Sequence, residues 1–369
     1  MARMKLGDIC EIVTGSTPKT NVIEYWGGNI KWITPAELND ETFIITDSVR
    51  KITEVAVKKT GLSVLPKGTV ILSSRAPIGK VAIAGCDLYC NQGFKNLICS
   101  NVILNEYLYW FLKGKYEYLN SLGRGATFKE ISKTIVQNIE IEVPDIEKQH
   151  KIAAILKRCN DIIIKREREI EELDTLIKAR FVEMFGDLEQ NPKGYHTRKL
   201  GSLATKISDG VHAKPEYTET GRPFISVVNI NTGKISFEGC KFVSEEAYQA
   251  MIKSTHPKRG DILYTKVGAT YGIPAYVDTD TEFCLYVSVS LIKPRHEEID
   301  SRFLALSMAM PYVKRQADSR IKGIGVPDLH LNQIREFDII CPPRSEQEEF
   351  AAFVAQTDKS KVALGYISC

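Results

Sequence analysis

Ser74-Arg75-Ala76-Pro77-Ile78-Gly79-Lys80-Val81 is the stretch of this chain closest to a phosphate-binding loop, and it fails as one. The first glycine of such a loop is missing and Val81 stands where a magnesium-binding hydroxyl is needed. Pro77 also removes a backbone donor. Cys86, Cys90 and Cys99 form the tightest cluster among nine cysteines. Structural zinc uses two short-spaced pairs, often with histidine, and neither a second pair nor a nearby histidine exists here. Buried thiols in a reducing compartment are the simpler reading, and no metal site is expected. Asp145, Glu147 and Lys148 follow Pro144 in a nuclease-like composition, but they sit together at a helix start, where the helix dipole accounts for the carboxylates. The motifs G-x-S-x-G, H-E-x-x-H, G-x-G-x-x-G and Asn/Asp-Pro-Pro-aromatic are absent. No catalytic site is legible.

What remains is polar loop chemistry suited to recognition. The first half offers Thr17, Lys19 and Thr20, then Trp32 and Thr34, Ser74 and Arg75, Gln92 and Lys95, and Arg124 and Lys129. The second half offers His212 and Lys214, Asn229 and Asn231, Lys266 with Tyr271, and Lys322. Lysine and arginine neutralise phosphates; Arg, Asn, Gln, Ser and Thr can hydrogen-bond base edges. Each loop alone reads as a turn. Their recurrence at equivalent places in both halves favours binding.

The element that must carry these loops is a module used twice. Lys5-Leu6-Gly7-Asp8 returns as Lys199-Leu200-Gly201-Ser202 at an offset of 194 positions. Asn138-Ile139-Glu140-Ile141-Glu142-Val143-Pro144 faces Glu336-Phe337-Asp338-Ile339-Ile340-Cys341-Pro342 at 198, and the match continues from Gln149 to Gln347. Solenoid repeats run only about 20–45 residues, so this period describes a duplicated domain. Runs 69–72, 81–84, 224–228 and 285–289 read as strands, and 104–119 as helix. Each half is expected to be an α/β (α+β) domain with an irregular sheet.

Between the halves, Leu156, Ile163, Ile170, Ile177 and Met184 recur every seven residues, with Ile152, Cys159 and Leu173 on a second line. Glycine and proline are absent from 145–184. Such heptads specify a long helix that pairs with another. A second copy starts at Ser345 and runs through Phe350, Phe353 and Val354, then loses its pattern at Lys361 and meets a helix stop at Gly365. The expected division is a first recognition domain over 1–144, a spacer helix and linker over 145–194, a second recognition domain over 195–343, and a short second helix over 344–369. The helices are expected to form an antiparallel coiled coil. Because Ile177 and Met184 lack counterparts in the second copy, the stretch 170–184 should expose Leu173, Leu176, Ile177 and Phe181 as an apolar strip open to self-association.

The balance of 49 basic and 46 acidic residues, net +3, neither proves nor excludes a local nucleic-acid groove. At 43% hydrophobic and 26% charged, the chain is globular rather than disordered or fibrous. No apolar run approaches the roughly 18 residues of a membrane span, and the start has no signal-like segment. A cytoplasmic chain without membrane partners is expected.

The order of domain, long helix, domain, helix is similar to the DNA-specificity subunit of type I restriction–modification systems. The motifs that carry the resemblance are Gly15-Ser16-Thr17-Pro18 with Tyr25-Trp26-Gly27-Gly28, Trp32-Ile33-Thr34-Pro35, Ser74-Arg75 with Pro77-Ile78-Gly79, and Asn91-Gln92-Gly93-Phe94. Val143-Pro144 with Glu147-Lys148-Gln149, repeated as Pro342-Pro343 with Glu346-Gln347, resembles the boundary opening each conserved helix. The resemblance implies two domains that each read half of a bipartite, asymmetric double-stranded DNA site. It implies helices that dock two adenine-N6 methyltransferase subunits and, through them, restriction subunits. It further implies that S-adenosylmethionine, ATP and magnesium belong to those partners, and that this chain binds no cofactor and catalyses nothing. A specificity subunit serving a fused methyltransferase–nuclease, and a duplicated scaffold that binds no DNA, are the alternatives left open.

Overall fold

In the computed structural model the chain divides into two compact units, Met1–Lys165 and Arg166–Cys369; the structure describes residues 2–75, 77–125, 129–187, 189–321 and 325–365. Both units are mixed α/β. The central sheet of the first runs in the order Cys10–Thr14, Lys95–Cys99, Val70–Leu72, Val81–Ala84, Ile44–Ile45. That of the second runs Ala204–Asp209, Val289–Pro294, Ile262–Thr265, Pro274–Tyr276. Alternate side chains of a strand point to opposite faces, so a continuous apolar run needs cover on both. Val70 and Leu72 enter one core with Leu108 and Leu112 of the helix Asn105–Lys113, while Ile71 enters another with Ile33, Leu88 and Phe94. Ile262 and Leu263 divide in the same way between two cores of the second unit.

Three expected elements are shorter than their composition suggests. The helix over 104–119 breaks at Gly114 into Asn105–Lys113 and Tyr116–Ser121. The run 224–228 ends as strand at Ile225, because Ser226 opens a capped 3-10 turn over Val227–Asn229. The run 285–289 is split into Cys284–Leu285 and Val289–Pro294. Gly210 explains the split: its N–H donates to the Val289 carbonyl at 3.2 Å, and a Cβ there would lie 2.3 Å from the Leu285 carbonyl oxygen. Gly15 does the same in the first unit, where a Cβ would lie 1.9 Å from the Asn91 carbonyl oxygen.

The duplication is visible bond by bond. Ala2–Lys5 pairs antiparallel with Glu140–Val143, and His196–Lys199 with Asp338–Cys341. Gln149 is fully buried; its Oε1 accepts from Leu104 N–H and its Nε2 donates to the Pro144 carbonyl, both at 2.8 Å. Gln347 repeats this with Asp300 N–H and the Pro342 carbonyl, again at 2.8 Å. A buried amide left without partners is expensive, so each glutamine ties a helix start to the domain beside it.

The long helix α1, Ile146–Phe185, confirms the heptad reading of a continuous helix. The division between the two units falls within it, after Lys165. Its partner in the second unit is α2, Arg344–Gly365. The ion pairs Arg180–Glu349 at 3.0 Å and Asp174–Lys361 fix an antiparallel course, because the numbers fall along one helix as they rise along the other. The expected uncovered strip over 170–184 is therefore corrected. Ile177 and Phe181 are buried in the core of the second unit with Phe350, Val354 and Phe303, and Met184 and Phe353 pack against it. Ile170 and Leu173 are half-buried, and Leu176 alone of the four strip residues is exposed, at 48%. The short α2 suffices because the second unit's own helix Ser301–Ala309 completes the cover. The exposed heptad positions lie at the other end of α1, at Leu156 (40%) and Ile163 (37%).

Candidate nucleic-acid interface

Antiparallel pairing brings several of the loops selected from sequence to one end of each central sheet. Thr14 lies opposite Lys95 and Val70 opposite Leu97, so Cys10–Thr14 and Val70–Leu72 both finish where Lys95–Cys99 begins. The loops following Thr14, following Leu72 and preceding Lys95 meet there. In the second unit Asp209 lies opposite Ser290 and Thr265 opposite Val289, which gathers the loops after Asp209, after Thr265 and before Val289.

The first unit's cluster centres on Glu130, which the sequence reading passed over. Lys95 Nζ donates to Glu130 Oε1 at 3.0 Å and to Ser74 Oγ at 3.2 Å. Arg75 Nε donates to Glu130 Oε2 at 2.9 Å. Burial opposes ionisation of Glu130, but Lys95 and Arg75 together hold its carboxyl below the ordinary range. The backbone of Glu130 exchanges two hydrogen bonds with Arg124, at 3.0 and 3.1 Å, closing the loop between them. The Lys95 side chain is only 6% exposed, whereas that of Arg75 is 45% exposed. Thr17 Oγ1 donates to the exposed Gln92. Lys19, Thr20, Arg124 and Lys129 are exposed, with no shared partner among the described residues. Two candidates are structural. Trp32 is core, 2% exposed, its indole N–H donating to the Ser16 carbonyl at 3.0 Å. Thr34 caps a turn with Glu37, whose Oε1 accepts from Thr34 N–H at 2.8 Å.

In the second unit Lys266 is buried, its Nζ 3.2 Å from Asp209 Oδ2 and 3.8 Å from Asp328 Oδ1. Exposed His212 Nε2 lies 3.9 Å from the same Asp209 oxygen. Asn229 is buried as a cap, its Oδ1 accepting from Ser226 N–H at 3.1 Å, so it occupies the place of Glu37 in the first unit. Lys214 and Asn231 are exposed; Lys214 Nζ lies 5.6 Å from the centre of the Tyr217 ring. Tyr271 is half-buried, donates to Asp318, and carries Lys314 Nζ 3.7 Å above its ring. Lys322 lies outside the described residues. The missed acids had a signal: Glu130 directly follows the loop 123–129, and Asp209 precedes the glycine of Asp209-Gly210. Arg50, also missed, is exposed with its guanidinium 3.8 Å above the Trp26 ring.

Among the described residues no group of three or more His, Cys, Asp or Glu side chains is placed to hold a metal. No described helix is long and apolar enough to cross a membrane.

Known proteins share this organisation. The family described as Type I restriction modification DNA specificity domain matches residues 1–174 and again 192–365. The Type I restriction enzyme MjaIX specificity subunit of Methanocaldococcus jannaschii is 33% identical over an alignment of 376 residues, covering 95% of this chain and 85% of the relative. The Type I restriction enzyme EcoKI specificity subunit of Escherichia coli is 19% identical over 322 residues, covering 81% of this chain and 69% of the relative. The crystal structure of the Type-I restriction-modification system S subunit from M. genitalium shares the fold, with a TM-score of 0.56 at 15% identity, covering 99% of this chain and 91% of that one. Two tandem copies of one module, each carrying its own loop cluster, together with these matches, show that the chain belongs to the type I restriction–modification DNA-specificity family.

Proposed function

We propose that this chain is the sequence-reading subunit of a type I restriction–modification complex and binds one bipartite, asymmetric double-stranded DNA site, one half-site per unit. The observation that carries the reading is the double match of the specificity domain, over 1–174 and 192–365, which coincides with the structural duplication. The loop clusters have the chemistry for binding DNA, since Arg75, Arg124 and Lys129 in one unit and His212 and Lys214 in the other are exposed donors. Phosphate contacts of this kind position the protein while base contacts specify the sequence. In this reading the chain carries no methyl-transfer or cleavage chemistry. It directs two adenine-N6 methyltransferase subunits, and through them restriction subunits, which use S-adenosylmethionine, ATP and magnesium in the cytoplasm. Long-read mapping of adenine methylation in strains with and without the gene tests this. One bipartite motif should lose its methylation on deletion; a methylome that is unchanged by deletion refutes the reading.

A further inference from the structure

Each unit buries one lysine at the end of its sheet, Lys95 at the start of the strand Lys95–Cys99 and Lys266 directly after the strand Ile262–Thr265. Ser74 and Lys266 are matching positions. Ser74 N–H donates to the Gly93 carbonyl at 2.7 Å and its carbonyl accepts from Ile131 N–H at 2.9 Å. Lys266 makes the same two bonds, to the Ser288 carbonyl at 3.0 Å and from Leu329 N–H at 2.9 Å. Lys95 and Ser290 also match, each lying opposite the last residue of the first sheet strand. The first unit therefore has serine then lysine where the second has lysine then serine. In both, the ammonium reaches the acid at one further matching position, Glu130 or Asp328, directly before Ile131 or Leu329.

Burying an ammonium is costly unless it is paired, and a side chain only 6% exposed in either unit does not meet a phosphate. An arrangement kept while its lysine changes position points to the charge rather than to the residue that supplies it. In each unit the acid nearest this ammonium also faces an exposed basic side chain. Glu130 holds Arg75 Nε at 2.9 Å, and Asp209 lies 3.9 Å from His212. Among the described residues the terminal nitrogens of Arg75 have no hydrogen-bond partner.

We propose that Lys95 and Lys266 are positioning residues for DNA recognition. Each fixes an acid that orients an exposed basic side chain, Arg75 or His212, and anchors the end of the loop preceding Ile131 or Leu329. The inference rests on the DNA-reading function proposed above. The test uses the full chain in complex with its methyltransferase subunits and a duplex carrying the motif assigned by methylation mapping. Duplexes with the first or the second half-site scrambled serve as references. Lys95→Met and Glu130→Gln should each lower the preference for the intact over the first-half-scrambled duplex at least tenfold. Discrimination at the second half-site and the slope of log affinity against log salt should stay unchanged. Arg75→Ala should likewise lower discrimination at the first half-site, because base contacts carry the specificity. A fall in the salt slope for Lys95→Met, or undiminished discrimination in a folded Lys95→Met protein, overturns the proposal. Should Lys95→Met not fold, S74K/K95S restores the ammonium from the position that Lys266 occupies in the second unit. That variant should keep wild-type discrimination, and its loss in a folded protein overturns the proposal. A wild-type complex with no preference for the intact duplex instead overturns the function itself.

Discussion

Phe350→Ala should destabilise the second unit far more than any truncation at the near end of α1. Phe350 is fully buried, and its ring meets Phe181 edge-on at 5.4 Å and Phe185 at 5.5 Å between centroids. Truncating a buried phenylalanine costs about 3–5 kcal/mol. Loss of two edge contacts, about 0.5–1.5 kcal/mol each, places this site in the upper part of that range. Against a typical domain stability of about 5–15 kcal/mol, that is a large fraction. Leu156→Ala, at a position 40% exposed, should stay within about 0.5 kcal/mol. Urea unfolding followed by far-ultraviolet circular dichroism compares the two midpoints. A Phe350→Ala cost below about 1 kcal/mol, the ordinary effect of a random substitution, would refute this packing, as would a Leu156→Ala cost equal to that of Phe350→Ala.

Other substitutions probe the joints of the repeat. Gln347→Leu strands the Asp300 N–H and the Pro342 carbonyl and should cost about 1–3 kcal/mol per orphaned group; urea titration would expose an error if the midpoint did not move. Gly15→Ala forces a Cβ to within 1.9 Å of the Asn91 carbonyl oxygen, so the loop before Lys95 must shift; its amide resonances should move, and unchanged spectra would contradict the close approach. Glu130 has a depressed carboxyl value, so its contribution is complete above the ordinary 4.5 and is lost as pH falls through the lowered value. The stability difference between wild type and Glu130→Gln should therefore shrink as pH drops below 4.5, and a widening gap would contradict the ion pairing.

Periodicity exposed the duplication and the helix α1, because heptads and strand-like runs are local properties. Heptad spacing names an apolar face but not what covers it, which is why Ile177 and Phe181 read as open although Phe350 and Phe303 enclose them. The same limit applies to the loops. Lys95 and Lys266 have the type of a phosphate contact, yet both are buried at the end of a sheet, and residue type carries no depth. Asn229 and Thr34 look like base readers but are used as caps. Glu130 and Asp209 were missed because a search for groups that attract DNA passes over acids, whose part here is to hold cations in place.

The central claim is that two similar units read two separate half-sites. Exchanging residues 4–144 for the matching segment of a relative with a different methylated motif, then mapping adenine methylation, tests it most directly. One half of the bipartite motif should change to the relative's sequence while the other half stays as it was. A motif altered in both halves, or in neither while methylation persists, would contradict it.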